Sequence, residues 1–147
     1  MGINLYIANS MEEVNKGIVL ESVRLEDHLM DFIWYNRDIL SPHIDIYLKL
    51  EPYDDLLLTN QEVFELQCFA ETLLTPNIIE KIDFSKEETI KRFASTLIYP
   101  SIDTFSKEEI YESAYVPKEE YLQFAQSIKM VCEKALALGK PLYSIGD

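Results

Sequence analysis

Glycine is nearly missing from this chain, standing only at positions 2, 17, 139 and 146 of 147. A Walker loop or a dinucleotide-binding turn needs several glycines within a few residues, so neither can be built here. An EF-hand is excluded on similar grounds, because no Asp-rich stretch carries the central Gly and closing Glu. Basic residues are also scarce, with 13 Lys and Arg against 26 Asp and Glu and a net charge of −13. Such a charge favours solubility and opposes unaided binding to a phosphate backbone or an anionic membrane surface, so nucleic acid is not an expected partner. No apolar run approaches 18 residues, which excludes a membrane-spanning helix on the sequence. The first residues lack a basic region followed by a long apolar run, and Tyr6 stands where a myristoylation pattern wants Ser or Thr. The cytoplasm is the expected compartment.

Two cysteines, Cys68 and Cys132, supply neither a disulfide framework nor metal-ligand spacing, and both fall inside apolar helical patterns. They read as small buried hydrophobes. There are two histidines, with no His-x-x-x-His or Glu-x-x-His pair, so no metal and no cofactor are expected. Proline and glycine are scattered singly and nothing reads as a linker, which makes residues 1–147 one helix-rich domain with a single core.

What is present is helix chemistry. Pro117, Glu119 and Glu120 open a segment in which Tyr121, Leu122, Phe124, Ala125, Ile128, Val131, Cys132, Ala135 and Leu138 recur at steps of three and four. Gly139 and Pro141 close it. This C-terminal helix is the expected centre of the core. Upstream, Ile3–Ala8 alternates like a short strand, and Ser10 with Glu13 forms a capping box for a following helix. Val23, Leu25, Leu29, Phe32, Ile33, Ile39 and Leu40 predict a second amphipathic helix whose apolar stripe Trp34 and Tyr35 widen. Residues 42–50 fit a short helix begun by Pro42, although Ile44, Ile46, Leu48 and Leu50 alternate like a strand. Thr59 and Glu62 cap a helix through Val63, Phe64, Leu66, Phe69, Ala70, Leu73 and Leu74, ended by Pro76.

The word Phe-Ser-Lys-Glu-Glu occurs at Phe84 and again at Phe105. Because the flanking sequences differ, shared capping chemistry explains the recurrence better than a structural repeat. At the far end, Leu142-Tyr143-Ser144-Ile145 is extended and can pair with Leu5-Tyr6-Ile7. The expected fold is therefore mostly α (α+β), with five to seven helices around the C-terminal helix and at most a small two-stranded patch from the termini.

The opening Met1-Gly2 with Tyr6, the Leu58-Thr59-Asn60-Gln61-Glu62-Val63 helix start, Ile98-Tyr99-Pro100, and the closing Ala137-Leu138-Gly139-Lys140-Pro141-Leu142 together resemble the YfbM-like family of uncharacterised small bacterial proteins. The resemblance covers about the first fifteen residues and the chain from Leu58 onward. It departs at Trp34-Tyr35-Asn36-Arg37, where that family carries a Trp-containing helix leading to Leu-Thr-Gly. It implies a helix-rich α+β fold and a bacterial source, and it brings no catalytic residues.

Charge is uneven, at −7 over residues 1–60, −6 over 61–116 and 0 over 117–147. Within the first block, Glu51, Tyr53, Asp54 and Asp55 form an acidic loop containing an aromatic, a composition that meets a Lys- or Arg-rich protein. The expected function is a non-enzymatic acidic binding protein, such as an immunity protein or inhibitor neutralising a basic toxin or nuclease. The alternatives are an enzyme or small-ligand binder using His28 with Asp31, or His43 with Asp45, and a structural or oligomeric role.

Overall fold

The computed structural model describes residues 2–41, 43–50, 54–82, 84–85, 88, 91 and 116–146. Strand β1 (Ile3–Ile7) alternates buried Ile3, Leu5 and Ile7 with half-buried Asn4 and Tyr6, as its sequence predicts. A short helix α1 (Met11–Asn15) follows, capped by the Ser10 hydroxyl, which accepts the Glu13 N–H at 3.2 Å. Gly17, at φ +75°, turns the chain into β2 (Glu21–Leu25). Helices α2 (Asp27–Tyr35) and α3 (Arg37–Leu40) meet at buried Asn36, whose side-chain amide donates to the Phe32 carbonyl. Two 3-10 turns (His43–Asp45 and Tyr47–Lys49) lead to β3 (Asp55–Leu58), α4 (Asn60–Leu73) and α5 (Pro76–Lys81). The chain closes with α6 (Lys118–Leu138) and β4 (Leu142–Gly146).

The strands form one antiparallel sheet in the order β2-β1-β4-β3. The terminal strands do pair, Leu5 opposite Ser144 and Ile7 opposite Leu142, but they are the middle of a four-stranded sheet. The expectation of a mostly α fold with at most a two-stranded patch is therefore overturned. The extra strands were hidden for different reasons. In β2, Val23 and Leu25 face inward beside Ile3 and Leu5, yet the same residues begin the three-four series continued by Leu29 and Phe32. The helix expected from Val23 starts only at Asp27. In β3, Leu56, Leu57 and Leu58 show no alternation, although the sheet buries Leu58 and leaves Leu57 exposed.

One face of the sheet rests on α4 and α6, which pack side by side, α4 over β3 and α6 over β1 and β2. The expected stripe of α6 is its buried face, with Tyr121, Phe124, Ala125, Ile128, Val131, Cys132 and Ala135 all inside. Gly139, at φ +63°, ends it in the left-handed conformation. The Thr59–Glu62 capping box of α4 is present in both directions, and Pro76 does not merely end that helix but begins α5. Residues 43–50 are helical, as two 3-10 turns. Trp34 does not extend the buried stripe; it is exposed, with the Arg37 guanidinium 4.2 Å above its ring. The Ser85 hydroxyl accepts the Glu88 N–H at 3.3 Å, while the matching word at Phe105 lies outside the described residues.

Ser144 sits fully buried on the inner face of the sheet with its hydroxyl unbonded among the described residues. Removing a buried hydroxyl that has no partner removes a desolvation cost. Ser144→Ala should thus be neutral or up to about 1 kcal/mol more stable in urea unfolding. A loss of stability above that size would reveal a partner for the hydroxyl.

Candidate functional site

Acidic residues are unevenly spread over the elements. Residues 41–80, which hold β3, α4 and the 3-10 turns, contain eight acids and one base, whereas residues 117–147, which hold α6 and β4, contain four of each. Of the acids in residues 41–80, Asp45, Asp54, Asp55 and Glu65 are exposed.

Of the acidic loop, Asp54 and Asp55 are exposed at the start of β3, and the Asp54 carbonyl accepts the Gly146 N–H at 3.3 Å. That backbone bond fixes where the two carboxylates emerge. Glu51 and Tyr53 lie outside the described residues. A groove of about 320 Å³ runs between the first 3-10 turn and α4, lined by Asp45, Gln61, Phe64, Glu65 and Cys68. Phe64 was expected in the core stripe, but Val63, Leu66 and Phe69 take the buried positions and leave its ring 52% exposed beside Glu65. An exposed aromatic flanked by carboxylates offers apolar area and negative potential together. The sequence reading missed Asp45, Phe64 and Glu65 as a group; the concentration of acids over residues 41–80 was the available signal. Lys49 is engaged at 3.5 Å by Glu62, whose carboxyl is held below its usual range first by the Thr59 backbone N–H, then by the Thr59 hydroxyl and Lys49, against partial desolvation.

Cys68 in this groove is half-buried rather than core, while Cys132 is buried as expected. Burial, aided by Glu133, pushes the Cys132 thiol up to about 12, where it stays protonated and unreactive at neutral pH. In the native protein at pH 8, one thiol, Cys68, should therefore react with a disulfide reagent, and the second only on unfolding. Equal rates for both would show that α6 opens readily.

His28 lies within electrostatic reach of Asp31, as expected, and its Nε2 is also 3.2 Å from Glu120 Oε2 at the start of α6, ninety-two residues away. Both side chains are exposed in a shallow cleft of about 270 Å³ that Ser127 also lines. An ion pair exposed at both ends adds little stability. The backbone of His43 opens a 3-10 turn ahead of Asp45; its side chain is outside the described residues. Among the described residues no three His, Cys, Asp or Glu side chains converge to hold a metal ion, and no helix is long and apolar enough to cross a membrane.

Comparison with protein-family models, curated proteins and solved structures finds no match. The YfbM-like resemblance rests on the residues quoted for it alone.

Proposed function

We propose that this chain is a non-enzymatic binding protein that covers a basic protein with its acidic β3–α4 edge, as an immunity protein or inhibitor of a cationic toxin or nuclease would, in a bacterial cytoplasm. The observation that carries this reading is the density of acids over residues 41–80, with Phe64 exposed in a groove that Asp45 and Glu65 also line. Long-range attraction raises the association rate, and the exposed ring supplies apolar area once the partners touch. Because exposed charges are screened within about 8 to 10 Å at physiological salt, the attraction weakens as salt rises.

Affinity capture at low and at moderate ionic strength should enrich a basic protein, whose binding kinetics can then be measured. Asp54→Asn with Asp55→Asn should slow its association several-fold, mainly at low salt, with the melting temperature almost unchanged because both side chains are exposed. Phe64→Ala should instead speed dissociation. If no basic protein is captured at either salt, or if association ignores both salt and the Asn pair, the acidity serves solubility and the inhibitor reading falls.

A further inference from the structure

The groove between the first 3-10 turn and α4 has two walls of different origin. The turn supplies Asp45, and α4 supplies Gln61, Phe64, Glu65 and Cys68, which follow one another at steps of three and four and so share one flank of the helix. Ile46 and Phe69, both almost fully buried, give the groove an apolar floor. Each wall thus carries one exposed carboxylate, and the half-exposed Phe64 ring lies beside them. Phe64 and Glu65 stand in the second turn of α4, past the reach of the positive charge at its N-terminal end.

Among the described residues no Lys, Arg or His pairs with either carboxylate. Glu65 accepts the neutral Gln61 amide at 3.4 Å, and Lys49, the one Lys or Arg in residues 41–80, is held by Glu62 at 3.5 Å. The groove therefore attracts a cation, and the ring decides which kind. A lysine ammonium is a compact, strongly hydrated charge, whereas a guanidinium is planar and weakly hydrated. It lies flat on an aromatic face while its N–H edge donates to carboxylates, and its methylene stem covers apolar surface. At about 320 Å³ the groove stands at the small end of ligand sites, roughly 300 to 1,000 Å³, which suits one long side chain better than a larger ligand.

We infer that this groove seats an arginine side chain of a basic protein, its guanidinium stacked on Phe64 and held from the two walls by Asp45 and Glu65. The inference rests on the reading of the chain as a binder of a basic protein, and it names the group by which that partner is recognised. Phe64 becomes the residue that sets specificity, while Asp54 and Asp55, which do not line the groove, act through long-range attraction.

Two short capped peptides test it on the full chain by NMR titration at low salt, one alternating glycine with arginine and the other carrying lysine in place of each arginine. Their equal charge gives both the same long-range attraction, so a difference between them reads the groove. The arginine peptide should bind about two- to fivefold tighter, the ratio an exposed cation–π contact supplies, and should shift the amides of Ile46, Phe64, Glu65 and Cys68. Phe64→Leu keeps an apolar side chain without a ring and should bring the two peptides to equal affinity. Asp45→Asn with Glu65→Gln should weaken both at least about threefold. All three side chains are exposed, so the variants should fold, which circular dichroism checks. Equal affinities for the parent, a preference that survives Phe64→Leu, or shifts confined to residues outside the groove would each overturn the proposal. If a basic protein is captured all the same, the binder reading stands and its contact lies elsewhere. An arginine preference lost in Phe64→Leu, in a chain that captures no basic protein, would uphold the arginine site and overturn the binder reading instead.

Discussion

Ile128→Asp should leave the protein largely unfolded at neutral pH. Ile128 is fully buried at the middle of α6, on the face that packs against α4 and the sheet. Truncating a side chain of this size in a close-packed core costs about 2 to 5 kcal/mol from lost burial and the cavity left behind. The introduced carboxyl adds its desolvation, and no described Lys or Arg is among the core residues to compensate it. The sum, above about 5 kcal/mol, matches the whole stability of many domains of this length. The pH dependence has a definite sign. The buried Asp would titrate above its unfolded value of about 3.9, so the variant loses stability as pH rises through and beyond that value and should be more folded near pH 4 than at pH 7. Ile128→Val, which keeps the shape, should cost only about 0.5 to 1.5 kcal/mol. Circular dichroism and urea unfolding at both pH values check this series. An Asp variant melting within a few degrees of the parent would show that α6 is peripheral.

Tyr121→Ala should be nearly as damaging, and Tyr121→Phe should separate the two reasons. The Tyr121 ring is fully buried against the stacked pair Phe32 and Phe84, at centroid distances of 6.0 and 5.6 Å and in edge-to-face geometry with each. Its hydroxyl donates to the Leu73 carbonyl at 2.7 Å, meeting one of the carbonyls that the end of α4 leaves without a helical partner. Removing the ring costs about 3 to 5 kcal/mol, and losing the hydroxyl alone about 1 to 2 kcal/mol because a buried carbonyl is left unpaired. Burial holds the phenol well above its ordinary range, so it keeps its proton in the fold while the unfolded chain releases one. Stability should then decline as pH rises above about 10, and less steeply in Tyr121→Phe. Urea unfolding of both variants, with the alkaline transition followed by tyrosine absorbance, measures these terms. Equal stability of Tyr121→Phe and the parent would mean that the Leu73 carbonyl finds another donor.

The candidate surface was partly legible for a reason of the same kind as the fold. Charge counts do not depend on folding, so the acidity of residues 41–80 was readable, and Asp54 and Asp55 are exposed where the loop enters β3. That Asp45 and Glu65 line one groove was not readable, because they come together only when a 3-10 turn packs against α4. Phe64 shows the same limit: one residue beyond Val63, it falls off the buried face by a turn of 100° that its hydrophobicity cannot report. His28 also meets Glu120, ninety-two residues away, which no local window contains, while Asp31 stays within its electrostatic reach.

The sequence by itself determined the helices whose signals are local. Ser10, Thr59 and Gly139 act on groups within about four residues of themselves, and the stripe from Tyr121 to Ala135 needs only the helical repeat to define its face. The tertiary structure alone decided the sheet. Leu25 reads equally as the end of a strand and the beginning of a helix, and it became strand because Ile3, from the other end of a hairpin, pairs beside it and α6 covers their common face. Likewise Leu56–Leu58 became an edge strand only when the last residues of the chain supplied β4 as a partner. Strand pairing is a bond between distant segments, and its free energy depends on what the paired face buries, which no local window of residues contains.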